Sequence, residues 1–122
     1  MNSKLKKLLA IMAGVLCSLT AMIALAGEWS EQTLIGKITV RDDQTVIVVR
    51  DSGKWNNPDL CDNAGRIVLL PPGAEGAALA YKEVYASLLG AHLTNREISA
   101  FLDGCTLIGN KTFPILARVA VH

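Results

Sequence analysis

The stretch Ala77-Ala78-Leu79-Ala80-Tyr81-Lys82-Glu83-Val84-Tyr85-Ala86-Ser87-Leu88-Leu89-Gly90-Ala91-His92-Leu93 decides the fold. Ala77, Ala78, Tyr81, Val84, Tyr85, Leu88, Leu89 and His92 recur at spacings of three and four. That spacing puts them on one side of a 3.6-residue helix, with Lys82, Glu83, Ser87 and Gly90 on the other. No comparable segment after residue 26 has this period; the flanks alternate with period two. The expectation is one amphipathic helix lying on a small sheet or barrel, with Tyr81, Val84, Tyr85, Leu88 and Leu89 buried. His92 falls on the apolar stripe. Without a paired nucleophile it reads as a packing residue, and a catalytic role is the competing reading.

Working outward, Leu34, Gly36, Ile38 and Val40 alternate with Lys37, Thr39 and Arg41, the pattern of a half-buried strand. Asp42-Asp43-Gln44 interrupts it and reads as a hairpin turn, since Asp bonds its own local backbone. Two adjacent carboxylates also suit a metal or acid–base site, but nothing nearby completes one. The β-branched run Thr45 to Arg50 makes a second strand. Arg66 to Leu70 makes a third, apolar on both faces and ended by Pro71-Pro72-Gly73. The helix lacks a Ser, Thr, Asp or Asn cap, Glu75 complements its dipole, and Asn95 suits a left-handed cap at its end.

Beyond the helix, Ile98, Ala100 and Leu102 alternate with Ser99, Phe101 and Asp103, a fourth strand. Asp103-Gly104-Cys105 then reads as a turn with a loop to Lys111. Ile115 to Val121 makes the last strand, with Pro114 at its first residues, where a missing donor is tolerated. Gly27 to Gln32 is a short lead-in whose Trp29 either packs or touches a partner. The order β-β-β-α-β-β is mainly β with one helix, and it fits a small OB-fold-like five-stranded barrel with the helix across its open end. A five-stranded sandwich is the rival.

The first 26 residues read as an address. Lys4, Lys6 and Lys7 precede an apolar run from Leu8 that ends Ala24-Leu25-Ala26, the pattern of a signal peptide with a small-x-small cleavage site. Cleavage after Ala26 leaves residues 27–122 as a single domain. The run is also near the length of a membrane span, so a retained anchor is the alternative. This segment raises the mean hydropathy to +0.34, which therefore does not describe the domain. With cleavage, no part of the product needs a membrane.

Residues 27–122 carry 9 Lys and Arg against 11 Asp and Glu, a net charge near −2 with His neutral. No basic cluster follows residue 7, so nucleic-acid binding, which needs a basic stripe, is not expected. Cys61 and Cys105 form an even pair in an exported chain, most simply one disulfide closing residues 62 to 104. A redox or metal role is the alternative; there is no Cys-x-x-Cys and the chain has only two His. No metal or other cofactor is therefore expected.

The loop Trp55-Asn56-Asn57-Pro58-Asp59-Leu60-Cys61 sets an aromatic beside amides on a tethered segment. Trp55, Asn56, Asn57 and Asp59 are accordingly candidate ligand-binding residues for a glycan or a protein. The alternative is that Trp55 covers the disulfide and closes the barrel end. Ser52, Ser87 and Ser99 show no nucleophile elbow and no evident His partner, so no enzyme is expected.

The segments Trp55 to Cys61, Tyr85-Ala86-Ser87-Leu88-Leu89, Asp103-Gly104-Cys105 and Phe113-Pro114-Ile115 together resemble a family of small secreted bacterial proteins, over residues 34 to 121. The order of elements, with Glu28-Trp29-Ser30 near the mature start, is also similar to the pentameric glycan-binding B subunits of bacterial A–B toxins, including the subtilase-cytotoxin type. No sugar-pocket motif of those subunits occurs here. The first resemblance implies a periplasmic or secreted protein and no particular reaction. The second implies an oligomeric glycan-binding protein.

Overall fold

The computed structural model describes residues 27–122. The expected signal peptide, residues 1–26, lies outside the described residues. The described residues are mainly β with one helix: β1 (Glu28–Trp29), β2 (Ile35–Val40), β3 (Val46–Arg50), β4 (Ile67–Leu69), α1 (Tyr81–Leu93), β5 (Ile98–Ile108) and β6 (Lys111–Val121).

The strands form one mixed sheet in the order β1-β5-β6-β4-β3-β2, with β4 and β6 parallel and the other neighbours antiparallel. The sheet is open and has six strands rather than five. The extra strand is the lead-in, where Glu28 and Trp29 pair with Leu102 and Phe101 on the edge of β5. Just after it, Thr33 and Ile98 exchange two backbone hydrogen bonds of 2.9 Å. The segment entering β2 thus lies against the start of β5, although β2 ends the opposite edge of the sheet.

The helix starts at Tyr81, four residues later than the periodicity predicts; residues 71–80 are turns. Ala80 is its N-cap and supplies no side-chain bond, as its sequence implies. The C-terminus has the paired bonds of a Schellman motif. The Arg96 amide donates to Ala91 O at 2.9 Å and the Asn95 amide to His92 O at 3.4 Å, with Asn95 left-handed at φ 54°. Val84, Leu88 and Ala91 are buried, while Tyr81, Tyr85 and Leu89 are half-buried. The helix packs against β2 and β6. Tyr81 reaches over to donate its hydroxyl to Gln44 O in the β2–β3 turn, and His92 Nδ1 lies 3.2 Å from Ile35 O.

The main core joins Val84, Leu88 and Ala91 to Val46, Val48, Ile67, Leu69, Ile98, Ala100, Leu102 and Leu116. A second cluster of Val68, Leu70, Phe113 and Ile115 is covered by Ala74 and Ala77. Hence β4 is buried on both faces, as its unbroken apolar run predicts.

The expected turn at Asp103-Gly104-Cys105 is instead a bulge inside β5. The register runs Leu102↔Leu116 and then Cys105↔Pro114, three residues against two. Gly104 takes φ 86°, which suits glycine. The bulge also explains how Pro114 sits inside β6, which begins at Lys111 rather than after Pro114. The chain reverses only at Gly109 and Asn110.

Candidate functional site

The loop after β3 is a strap rather than a free arm. Its base is closed by the Trp55 amide donating to Ala64 O at 2.9 Å. Asn57 grips Cys61 twice: its Oδ1 accepts from the Cys61 amide and its Nδ2 donates to the Cys61 carbonyl, both at 2.8 Å. The Asp59 carboxylate accepts from the Gly104 amide at 2.7 Å. Asp62 and Thr112 exchange two bonds, of 2.8 and 2.9 Å. Cys61 and Cys105 are joined in a disulfide with Cα atoms 5.7 Å apart, fixing the strap to the bulge of β5.

The candidate ligand-binding residues therefore separate. Trp55 is only 3 % exposed; its ring lies in the main core and its Nε1–H donates to Val48 O at 3.2 Å. Asn57 and Asp59 are engaged within the strap and with the bulge. Asn56 alone turns toward β1, where its Nδ2 donates to Glu28 Oε1 at 2.7 Å.

Asn56 lines a cleft of about 280 Å³ together with Glu28, Trp29, Glu31, Arg50, Lys54 and Trp55. Trp29 is 48 % exposed and packs edge-on against Phe101, with centroids 5.4 Å apart at 67°. Arg118 lies 5.3 Å from the Phe101 ring centroid. A tryptophan so held offers a pre-placed apolar surface at low entropic cost. Arg50, at the end of β3, donates to Lys54 O at 2.7 Å and pairs with Glu31 at 2.9 Å. Its guanidinium lies 5.7 Å from the Trp55 ring centroid. The buried side-chain polar atoms without a partner among the described residues are Arg50 Nε and Asn56 Oδ1. Both residues line this cleft.

Sequence reasoning placed the binding tryptophan on the strap; the exposed one is Trp29. The missing signal was pairing: β1 is two residues long, and only its contact with β5 reveals it. Glu28 and Glu31 flanking Trp29 were the visible hint.

Elsewhere, Asp42 and Asp43 form the β2–β3 turn, and Asp43 Oδ1 accepts from the Thr45 amide at 3.0 Å. That bond holds the Asp43 carboxyl below its ordinary value. Among the described residues no group of three His, Cys, Asp or Glu side chains is placed to hold a metal. Ser99, for which the sequence offered no evident His partner, does have one: Ser99 Oγ lies 2.9 Å from His122 Nε2. Neither residue lines the Trp29 cleft.

A second concave feature has an apolar floor of Ile47, Val68, Ile108 and Phe113, with Arg66, Asn110 and Lys111 at its margin. Among the described residues no helix is long and apolar enough to cross a membrane. The chain matches no protein-family model, no curated protein and no solved structure.

Proposed function

We propose that this chain is a small exported, non-enzymatic binding module that recognises a glycan or a protein surface at the Trp29 cleft. The carrying observation is that a half-exposed tryptophan stands beside a loop fastened by a disulfide and paired side-chain bonds. Such a site is rigid before its ligand arrives, which lowers the cost of binding. The disulfide fits an oxidising compartment, and periplasmic or secreted placement follows if residues 1–26 direct export. An OB-like barrel is the architecture we favour. It is supported by the order β2-β3-β4-β6-β5, the parallel β4–β6 pair, the helix between β4 and β5, and the Thr33–Ile98 bridge. Assembly into a toxin-B-subunit-like ring belongs to the same proposal. Light scattering on the disulfide-bonded protein reports it directly.

The test is a glycan array run beside a pull-down from envelope and host extracts. Retention of a defined glycan or protein partner supports the reading; nothing above background in either overturns it. The Ser99–His122 contact favours a second reading, a small hydrolase. Labelling of Ser99 by a fluorophosphonate, abolished in H122A, would support it over a binding module.

A further inference from the structure

The geometry points to a neutral sugar hydroxyl as the group recognised in the Trp29 cleft, held between Arg50 Nε and Asn56 Oδ1 with the sugar's C–H face on Trp29. This deepens the binding-module reading and rests on it. Arg50 Nε is a donor without an acceptor and Asn56 Oδ1 an acceptor without a donor, and both residues line the one cleft. The assignment of the amide is fixed by chemistry: the atom 2.7 Å from the Glu28 carboxylate must be the NH₂, so the unpartnered atom is the oxygen. Buried polar groups left unmatched are costly, and a ligand that matches both removes two penalties at once. A hydroxyl both donates and accepts, so it answers the pair as neither a carboxylate nor an ammonium group does.

The charges around the cleft balance. Glu28 and Glu31 stand against Arg50 and Lys54 around the cleft. Arg50 is already neutralised by Glu31. The cleft therefore carries no net charge that would favour a charged sugar over a neutral one. Arg50 Nε and Asn56 Oδ1 are both covered, so a ligand reaches them by displacing a neighbour, and the Glu31 carboxylate is the loosely held one. That carboxylate is 72 % exposed against 12 % for Arg50, and ion pairs with one partner so exposed break at little cost. Trp29 supplies the apolar face on which the ring stacks.

The experiment is a titration of the disulfide-bonded protein followed by amide and indole nuclear magnetic resonance. The probes are the neutral methyl glycosides of glucose, galactose and mannose, with glucuronate and N-acetylneuraminate as charged comparators. At least one neutral glycoside is expected to shift the Trp29 indole and the Asn56 side-chain amide. N56A and R50K should each weaken that binding about tenfold, the scale of one lost hydrogen bond, and W29A should abolish it. Shifts confined to residues outside the cleft, or produced by the acidic sugars only, overturn the inference while leaving the binding-module reading intact. No shift with any sugar overturns it as well, and the array and pull-down then decide the broader reading separately. The wild-type shift map is decisive even if a variant fails to fold.

Discussion

Asn57 and Cys61 are clamped to each other through both backbone groups of the cysteine, with the amide and the carbonyl each 2.8 Å from the Asn57 carboxamide. This clamp fixes the backbone of Cys61, whose sulfur is bridged to Cys105. N57A removes both bonds and leaves the half-buried backbone groups of Cys61 unmatched. A loss of about 1–3 kcal/mol is expected, measured by urea unfolding with the disulfide intact.

The bridge itself encloses residues 62 to 104, nearly half of the described chain. In the chain-entropy account a loop of this length contributes about 4 kcal/mol. Denaturant unfolding with and without reductant, or of C61S/C105S, should show a loss of that order.

The bulge in β5 depends on Gly104, whose φ of 86° is hard for any other residue. An added Cβ would also touch Ile115 Cδ1 at 3.4 Å. G104A should cost about 1–2 kcal/mol, seen as a lower unfolding midpoint. Its amide bonds the Asp59 carboxylate, so amide exchange across residues 55–65 should accelerate as well.

Leu88 is fully buried where the helix meets the sheet. L88A should cost about 2–5 kcal/mol. A serine at Leu79, which is fully exposed, should change stability little by the same measurement.

Asp43 and Tyr81 have ionisations shifted in opposite directions. The Thr45 amide and hydroxyl hold the Asp43 carboxyl below its ordinary value. Its stabilising contribution is present above about pH 4 and is lost as the pH falls through the lower folded value. Asp43 is exposed, so the effect is small, and D43N should flatten it. Tyr81 moves the other way: burial, with Tyr85 and Asp43 nearby, raises its phenol above 10.0. The neutral hydroxyl donates to Gln44 O, so this contribution is full below pH 10 and declines as the pH rises through the folded value. Y81F should remove that alkaline dependence, read by unfolding at pH 8 to 11.

The helix, the β2–β3 hairpin, β4 and the disulfide were legible in the sequence because each has a local signature. Period 3.6, period two, an unbroken apolar run and an even cysteine pair all lie within one segment or one count. What was not legible depends on long-range pairing. Asp103-Gly104 has turn chemistry, yet β6 accepts the positive φ of Gly104 as a bulge, so β5 runs on to Ile108. Glu28-Trp29 is too short to read as a strand until β5 is beside it. The two tryptophans were separated for the same reason. Trp55 sits in the strap most exposed to inference, but Val48 O draws its indole into the core. Trp29 is held half-outside by Phe101. Of the four candidate binding residues, only Asn56 both lines the cleft and keeps a polar atom without a partner.

The most direct test of the account compares the native protein with W29A on one glycan array, after both are shown to be oxidised and folded. The account predicts a neutral glycan class retained by the native protein and lost in W29A. Binding that survives W29A unchanged, or an array without any ligand beside an empty pull-down, would contradict it.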